Sequence, residues 1–213
     1  IYSLFGVYHT AFGNGNLTLG LRQDEHDLFG DQFSWRIGGV YDLSRQFSVW
    51  GNTGTGYRAP SLYELYGRDA IYGIGGVVGN TALQPEESIS RDIGVRYAMA
   101  SLPIEIDLGY FDIDTEDRIF FSGPPPLYVG NYQNDTGTSK TEGLELSAEG
   151  KLSDTLSARF SFSKMDPTQA DGSPQNSQPR LLWSLNLDHV SLDDDFAFGI
   201  TARKIQERFR FGV

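Results

Sequence analysis

Leu156-Ser157-Ala158-Arg159-Phe160-Ser161-Phe162-Ser163 is the stretch that decides the fold. Successive side chains of a β-strand point to opposite faces, so Leu156, Ala158, Phe160 and Phe162 share one face and Ser157, Arg159, Ser161 and Ser163 the other. The first face suits hydrocarbon and the second suits water. Working outward, Leu144, Leu146 and Ala148 oppose Glu145, Ser147 and Glu149, and Ile104, Ile106, Leu108 and Tyr110 oppose Glu105, Asp107 and Gly109. Phe33, Trp35, Ile37 and Tyr41 repeat the split against Ser34, Arg36 and Gly38. After Tyr110 the apolar parity flips, with Phe111 and Ile113 now opposing Asp112, Asp114 and Glu116. Either a β-bulge shifts the register there, or the strand leaves the hydrocarbon near Tyr110 and continues into water.

Turn signals divide the chain into ten predicted strands, at 1–11, 16–24, 33–42, 47–57, 88–99, 103–119, 138–151, 155–165, 179–190 and 196–207. The connections alternate. Short ones fall at Asn14 and Gly15, Ser44 and Arg45, Ala100 to Leu102, Ser153 and Asp154, and Ser191 to Asp195; long ones fall at 25–32, 58–87, 120–137 and 166–178. An up-and-down barrel in the bacterial outer membrane has tight turns at one rim and longer external loops at the other, whereas a soluble β-sandwich has no reason to keep that order. The reading is therefore all-β, an antiparallel up-and-down transmembrane β-barrel.

Composition agrees. The 213 residues hold 25 Gly, 14 Phe, 11 Tyr and 3 Trp but only 2 Met, a balance that suits strands. No stretch approaches 18 consecutive apolar residues, and the mean hydropathy of −0.34 is what alternating lipid-facing and lumen-facing residues give. The lack of Cys removes disulfides, thiolate metal sites and Cys nucleophiles. A net charge of −11 excludes a phosphate-tracking surface, so no nucleic acid is expected as a partner. The start at Ile1, without Met or a signal-like segment, is expected of a processed or truncated product.

Gly56, Tyr57, Arg58, Ala59, Pro60, Ser61, Leu62, Tyr63, Glu64, Leu65 and Tyr66, followed by Gly79, Asn80, Leu83, Pro85, Glu86 and Ser88, resemble a run in TonB-dependent receptors, a strand end, a loop and the opening of the next strand. Ser139-Lys140-Thr141-Glu142-Gly143-Leu144-Glu145-Leu146 is similar to a recurrent strand start of the same family. The resemblance implies a barrel of about 22 strands closed by a plug, importing a chelated nutrient such as a ferric siderophore or cobalamin with energy relayed by TonB. On that footing residues 1–213 are a partial barrel domain of about ten strands, set in outer-membrane lipid, with the plug, the TonB box and the closing strands absent from this chain. TonB would act through the missing N-terminal part. The other readings are a self-contained small barrel acting as a passive pore and a barrel-borne hydrolase.

Tyr57, Arg58, Tyr63, Glu64, Tyr66, Arg68 and Tyr72 gather aromatic and ionic groups around one external loop, as a binding site for a planar or charged chelate needs. The plainer reading of the same residues is loop and aromatic-belt packing. Asp112, Asp114, Glu116 and Asp117 are oxygen donors that could take a hard cation, but no EF-hand glycine pattern accompanies them, and a solvated lumen-facing acidic stripe is expected instead. Asp193, Asp194 and Asp195 read as turn residues. His9, His26 and His189 share no motif with a Ser or Asp, so no catalytic residue, metal or cofactor is expected and the protein is read as a non-enzyme. Gly73, Gly75, Gly76 and Gly79 precede no helix, which leaves loop flexibility rather than phosphate binding.

Overall fold

The computed structural model describes residues 2–70, 76–123, 129–175, 178–193 and 195–206. Its strands are, in chain order, β1 (Tyr2–Phe12), β2 (Gly15–His26), β3 (Gly30–Asp42), β4 (Phe47–Arg58), β5 (Arg68–Ala70), β6 (Gly76–Val78), β7 (Glu86–Ala98), β8 (Ile104–Glu116), β9 (Ile119–Phe121), β10 (Gly130–Asn134), β11 (Thr138–Lys151), β12 (Leu156–Thr168), β13 (Leu181–Val190) and β14 (Ala197–Gln206). One short helix, α1 (Leu62–Tyr66), follows β4. Ten of the strands form one antiparallel sheet in the order β1-β2-β3-β4-β7-β8-β11-β12-β13-β14, so every neighbour in the sheet is also the next long strand in the chain. This is the up-and-down meander that the sequence predicts.

At one rim the strands are joined by tight turns. Gly13 takes φ +52 between Phe12 and Gly15, the positive value that a two-residue hairpin demands and that only glycine adopts without strain. At the other rim residues 59–85, 117–137 and 169–180 make long excursions. One expectation fails here: the connection at 25–32 is not a long loop, because β2 and β3 run on as a hairpin and only residues 27–29 lie outside the strands. His26 helps to close that turn, its Nδ1 accepting from the Leu28 N–H at 3.1 Å and its ring lying 4.9 Å from Phe29. Periodicity alone does not mark where a strand leaves the membrane, so a strand that protrudes into water reads as a loop.

The register fixes both faces. Val95, Leu108 and Leu146 face one another across β7, β8 and β11, and Leu146 pairs with Phe162 of β12, which pairs with Trp183 of β13. On the other side of the same wall, Arg96, Asp107, Ser147, Ser161 and Ser184 line the concavity. The apolar outer face is left bare: Ile93 is 66% exposed, Leu144 49% and Leu108 45%. Among the described residues the buried hydrophobic side chains are only Leu65, Leu83 and Ile119, and all three lie at the external rim. A soluble sandwich would bury its apolar face against a second layer; among the described residues none covers it.

Register also resolves the parity flip. β8 pairs without interruption from Glu105 to Glu116 with β7 and from Ile104 to Glu116 with β11, so there is no bulge. Asp112 and Asp114 therefore continue the outer face that carries Leu108 and Tyr110. The expected lumen-facing acidic stripe is corrected: the inward residues are Phe111 and Ile113, and the acidic ones sit on the outside, above the apolar stripe.

The lumenal wall has its own packing. The Trp50 indole lies across the glycines of two neighbouring strands, where a Cβ on Gly94 would fall 2.3 Å from its ring and one on Gly109 3.0 Å from it. Its Nε1 donates to both Asp107 carboxylate oxygens at 3.1 and 3.2 Å, and Arg96 donates to the same carboxylate at 3.0 Å.

Candidate functional site

β4 ends in Arg58, and there the chain turns into the external excursion. Ala59 and Pro60 break the ladder, since proline has no N–H to give, and Ser61 caps α1. The cap is a capping box: the Ser61 hydroxyl accepts from the Glu64 N–H at 3.2 Å, and the Glu64 carboxylate accepts from the Ser61 N–H at 2.7 Å. Sequence reading found no helix in this chain, because a five-residue helix is too short for a 3.6-residue period to emerge. The Ser-x-x-Glu spacing of 61 and 64 was the signal that could have found it.

Arg58 binds this helix to the next long strand. Its Nε and Nη2 donate to Glu86 at 2.8 and 2.7 Å as a two-pronged pair, and its Nη1 donates to Glu64 at 3.0 and 3.2 Å. Glu86 also accepts from the backbone N–H of Ile119 at 2.6 Å, which ties in β9 of the following external loop. One guanidinium thus joins β4, α1, β7 and β9. Burial raises the Glu64 carboxyl toward its neutral form, but donation from Arg58 and the Ser61 N–H outweighs burial and leaves it below the usual glutamate range.

The rest of the motif packs behind this brace. Leu65, Leu83 and Ile119 form a small core against Phe29 and Tyr132. A Cβ on Gly79 would sit 2.6 Å from the Leu65 backbone, so this glycine permits close approach rather than flexibility. Asn80 donates from Nδ2 to the Tyr132 carbonyl at 2.9 Å, and Asn134 donates to the carbonyls of Gln84 and Asp117 at 3.0 and 2.6 Å. β5, β6, β10 and β9 make a four-stranded sheet above the wall, which sequence reading missed because its strands are three to five residues long.

The predicted binding residues are divided by this geometry. Arg58 and Glu64 are the brace itself. Tyr63 and Tyr66 are exposed, at 44% and 59%, beside Leu62 at 73%, so α1 presents rings outward. Tyr63 meets Tyr132 edge to face at 6.1 Å, and Tyr132 meets Phe121 at 5.5 Å; neither partner was picked out from sequence. Arg68 is exposed at the start of β5. Tyr57 is not brought to the group, because alternation along β4 turns it to the opposite face from Arg58, where it pairs with Glu87. Tyr72, Gly73, Gly75 and Asp194 lie outside the described residues. Gly76 pairs with Ala70 between β5 and β6.

Four of the remaining candidates, Asp112, Asp114, His9 and His189, are engaged in local contacts. Arg91 and Lys140 hold the Asp112 and Asp114 carboxylates, so these are occupied by side-chain cations. His9 contacts the Thr18 hydroxyl at 2.9 Å, and the His189 ring lies 5.2 Å from Phe198.

Comparison with known proteins follows the same lines. The family model described as TonB dependent receptor-like, beta-barrel, matches residues 1–211. The iron-regulated outer membrane virulence protein of Vibrio cholerae is 28% identical over 194 residues, covering 83% of this chain and 29% of that protein. The vitamin B12 transporter BtuB of Vibrio vulnificus is 29% identical over 133 residues, covering 61% of this chain and 20% of that protein. A crystal structure of a mutant ferric enterobactin receptor, PfeA, of Pseudomonas aeruginosa superimposes with a TM-score of 0.75 at 25% identity, over 94% of this chain and 31% of that one. The chain spans less than a third of the length of each of these relatives.

Proposed function

This chain belongs to the TonB-dependent receptor β-barrel family of the bacterial outer membrane, and from that premise we propose that it is part of the wall and external mouth of a receptor that imports a chelated nutrient, an iron chelate or cobalamin. The observation that carries the reading is the brace at Arg58, which fixes α1 and its outward rings over the mouth of the wall. Flat aromatic faces and phenol hydroxyls on a rigid support suit a large, partly apolar, partly polar chelate, since binding then orders few side chains. The names of the relatives, an iron-regulated protein, a cobalamin transporter and a ferric enterobactin receptor, point to the same cargo class.

The sheet also argues for a larger barrel. Among the described residues β1 pairs only with β2 and β14 only with β13, so both outer strands keep a free edge. In hydrocarbon each unpaired N–H or C=O costs several kcal/mol, and an edge of this length carries on the order of ten of them, so each of the two edges is forbidden there. Further strands, a plug filling the lumen, lipid around the wall and TonB acting through an N-terminal segment complete this proposal. A self-contained ten-stranded pore would need β1 against β14.

The test is uptake by the full-length receptor. Labelled ferric siderophore or cobalamin should enter cells only when both the receptor and TonB are present. A Tyr63→Ala/Tyr66→Ala double variant should bind the imported chelate at least tenfold more weakly while keeping its heat-resistant barrel. Uptake unaffected by loss of TonB would overturn the reading.

A further inference from the structure

The ladder between β3 and β4 stops before the strands do. They pair only from Arg36 to Asp42 against Gly54 to Ser48, yet β3 starts at Gly30 and β4 runs on to Arg58. Among the described residues, residues 30–35 pair only with β2 and residues 55–58 only with β7. A seam therefore divides the external part of the wall. A concavity of about 470 Å³ lies along it, with Asp31, Trp35, Thr55, Tyr57, Glu87 and Glu116 in its lining. Isolated bonds replace the ladder: the Trp35 N–H donates to the Thr55 hydroxyl at 3.2 Å, and the Tyr57 hydroxyl reaches the Asp24 carboxylate of β2.

Charge works against closing the seam. Asp31 lines it from β3, while Glu87 and Glu116, opposite each other on β7 and β8, line it from the other side. All three are exposed, no Lys or Arg lines the concavity, and none of the three has an ion-pair partner among the described residues. Like charge on both sides pushes the two parts of the wall away from each other, and salt screens that push. The contact that opposes it is at the tip of the β2–β3 hairpin. There Gly30 takes φ +69, His26 accepts from the Leu28 N–H at 3.1 Å, and Gln32 Nε2 donates to the Phe29 carbonyl at 3.2 Å, so the turn is held from inside. It presents Phe29, which packs across the seam on Leu65, Leu83 and Ile119, and Leu65 belongs to α1. Tyr132, the edge-to-face partner of Tyr63, packs on the same three side chains.

We propose that the β2–β3 hairpin is a flap, hinged where the ladder ends at Arg36 and Gly54 and latched by Phe29 behind α1, and that this latch positions the Tyr63 and Tyr66 rings for the chelate. The second half of the proposal rests on the reading of those rings as the chelate site. Phe29 is a positioning residue, since it acts on the rings through Leu65 and the shared core. The hairpin can move as one body because β2 and β3 stay paired register by register up to His26 and Gly30. With the latch open, Leu65 and Ile119 lose part of their cover and α1 loosens. A chelate that needs α1 in place then favours the closed latch by the same factor by which the latch favours the chelate.

The test uses the full-length receptor in bilayers, with nitroxides on Leu28→Cys at the flap tip and Val95→Cys on the wall, both exposed positions, and their separation measured by pulsed electron spin resonance. With Phe29 in place one narrow distance is expected. Phe29→Ala removes a partly buried ring and should raise the open population about 30-fold, adding a second, longer distance, while Phe29→Leu refills the site and should restore most of the first. Raising the salt to about 1 M should shrink the longer population. Hydrogen exchange of Phe29→Ala should quicken in α1 and leave the β2–β3 ladder protected. A single unchanged distance in Phe29→Ala would overturn the proposal, and so would loss of protection throughout that ladder, which identifies fraying of the hairpin instead of movement of a flap. None of these readings uses a chelate, whereas a Tyr63→Ala/Tyr66→Ala variant that binds chelate as well as wild type would remove the chelate site from α1 without touching the flap.

Discussion

Replacing Arg58 with alanine removes the guanidinium that joins four elements at the external rim. Glu86 and Glu64, whose side chains are 15% and 14% exposed, then face each other without a counter-ion. A hydrogen bond to a charged group contributes about 1.5–3 kcal/mol, and an exposed ion pair at most about 1. Arg58 is 46% exposed, so the two-pronged pair with Glu86 and the pair with Glu64 together stabilise the loop by about 2 kcal/mol, after discounting for solvent. That loss falls on the excursion and leaves the wall intact, because the β4 and β7 ladder runs unbroken from Phe47 to Arg58. Local opening of α1, of residues 76–85 and of β9 should become about 30-fold more frequent. Hydrogen exchange of the full-length receptor measures this directly, with amides of α1 and Ile119 exchanging faster and those of β8 unchanged. Arg58→Lys, which keeps the charge but loses the two-pronged geometry, should fall between. Exchange of α1 within twofold of wild type in Arg58→Ala would refute the brace.

Other outcomes follow from the wall and the loop. Gly94→Ala would drive a methyl group into the Trp50 ring and the Leu108 carbonyl, so the barrel should lose about 1–3 kcal/mol in denaturant unfolding, and Trp50→Ala combined with it should recover part of that loss. Leu146→Lys, on the outer face, should cost about 2–4 kcal/mol in lipid, whereas Ser147→Lys, lining the lumen, should cost much less; unfolding in vesicles compares them. Glu64 titrates below its ordinary value of 4.5, so its contribution is present above that pH and is lost as the pH falls through the lowered value. Exchange protection of α1 should accordingly be constant from neutral pH down to about that point and fall below it.

The wall was legible because its cause is local. Alternation at Leu156 to Ser163 or Ile104 to Tyr110 follows from strand geometry and two solvents, and neither needs a distant contact to be read. The ten strand positions and the meander order follow from it. The external rim was less legible because its order comes from long-range bonds. Arg58 finds Glu86 at a separation of 28 residues, and Asn80 finds Tyr132 at 52, while no periodicity links them. Residue type at one position also carries two meanings: Arg58 and Glu64 read equally as ligand donors and as a brace, and only geometry separates the two. Asp112 and Asp114 were placed on the wrong face because a change of solvent along one strand imitates a change of register.

The most direct measurement is a nitroxide scan of β11 and β12 in the full-length receptor in bilayers, one spin label at a time from 144 to 149 and from 158 to 163, with collision rates for oxygen and for a water-soluble nickel complex. The account predicts strict alternation, with oxygen dominant at 144, 146, 160 and 162 and low at 145, 147, 161 and 163, in both strands and in the paired register. Uniform nickel access, or labels at 146 and 162 shielded from both reagents as in a compact soluble core, would contradict it.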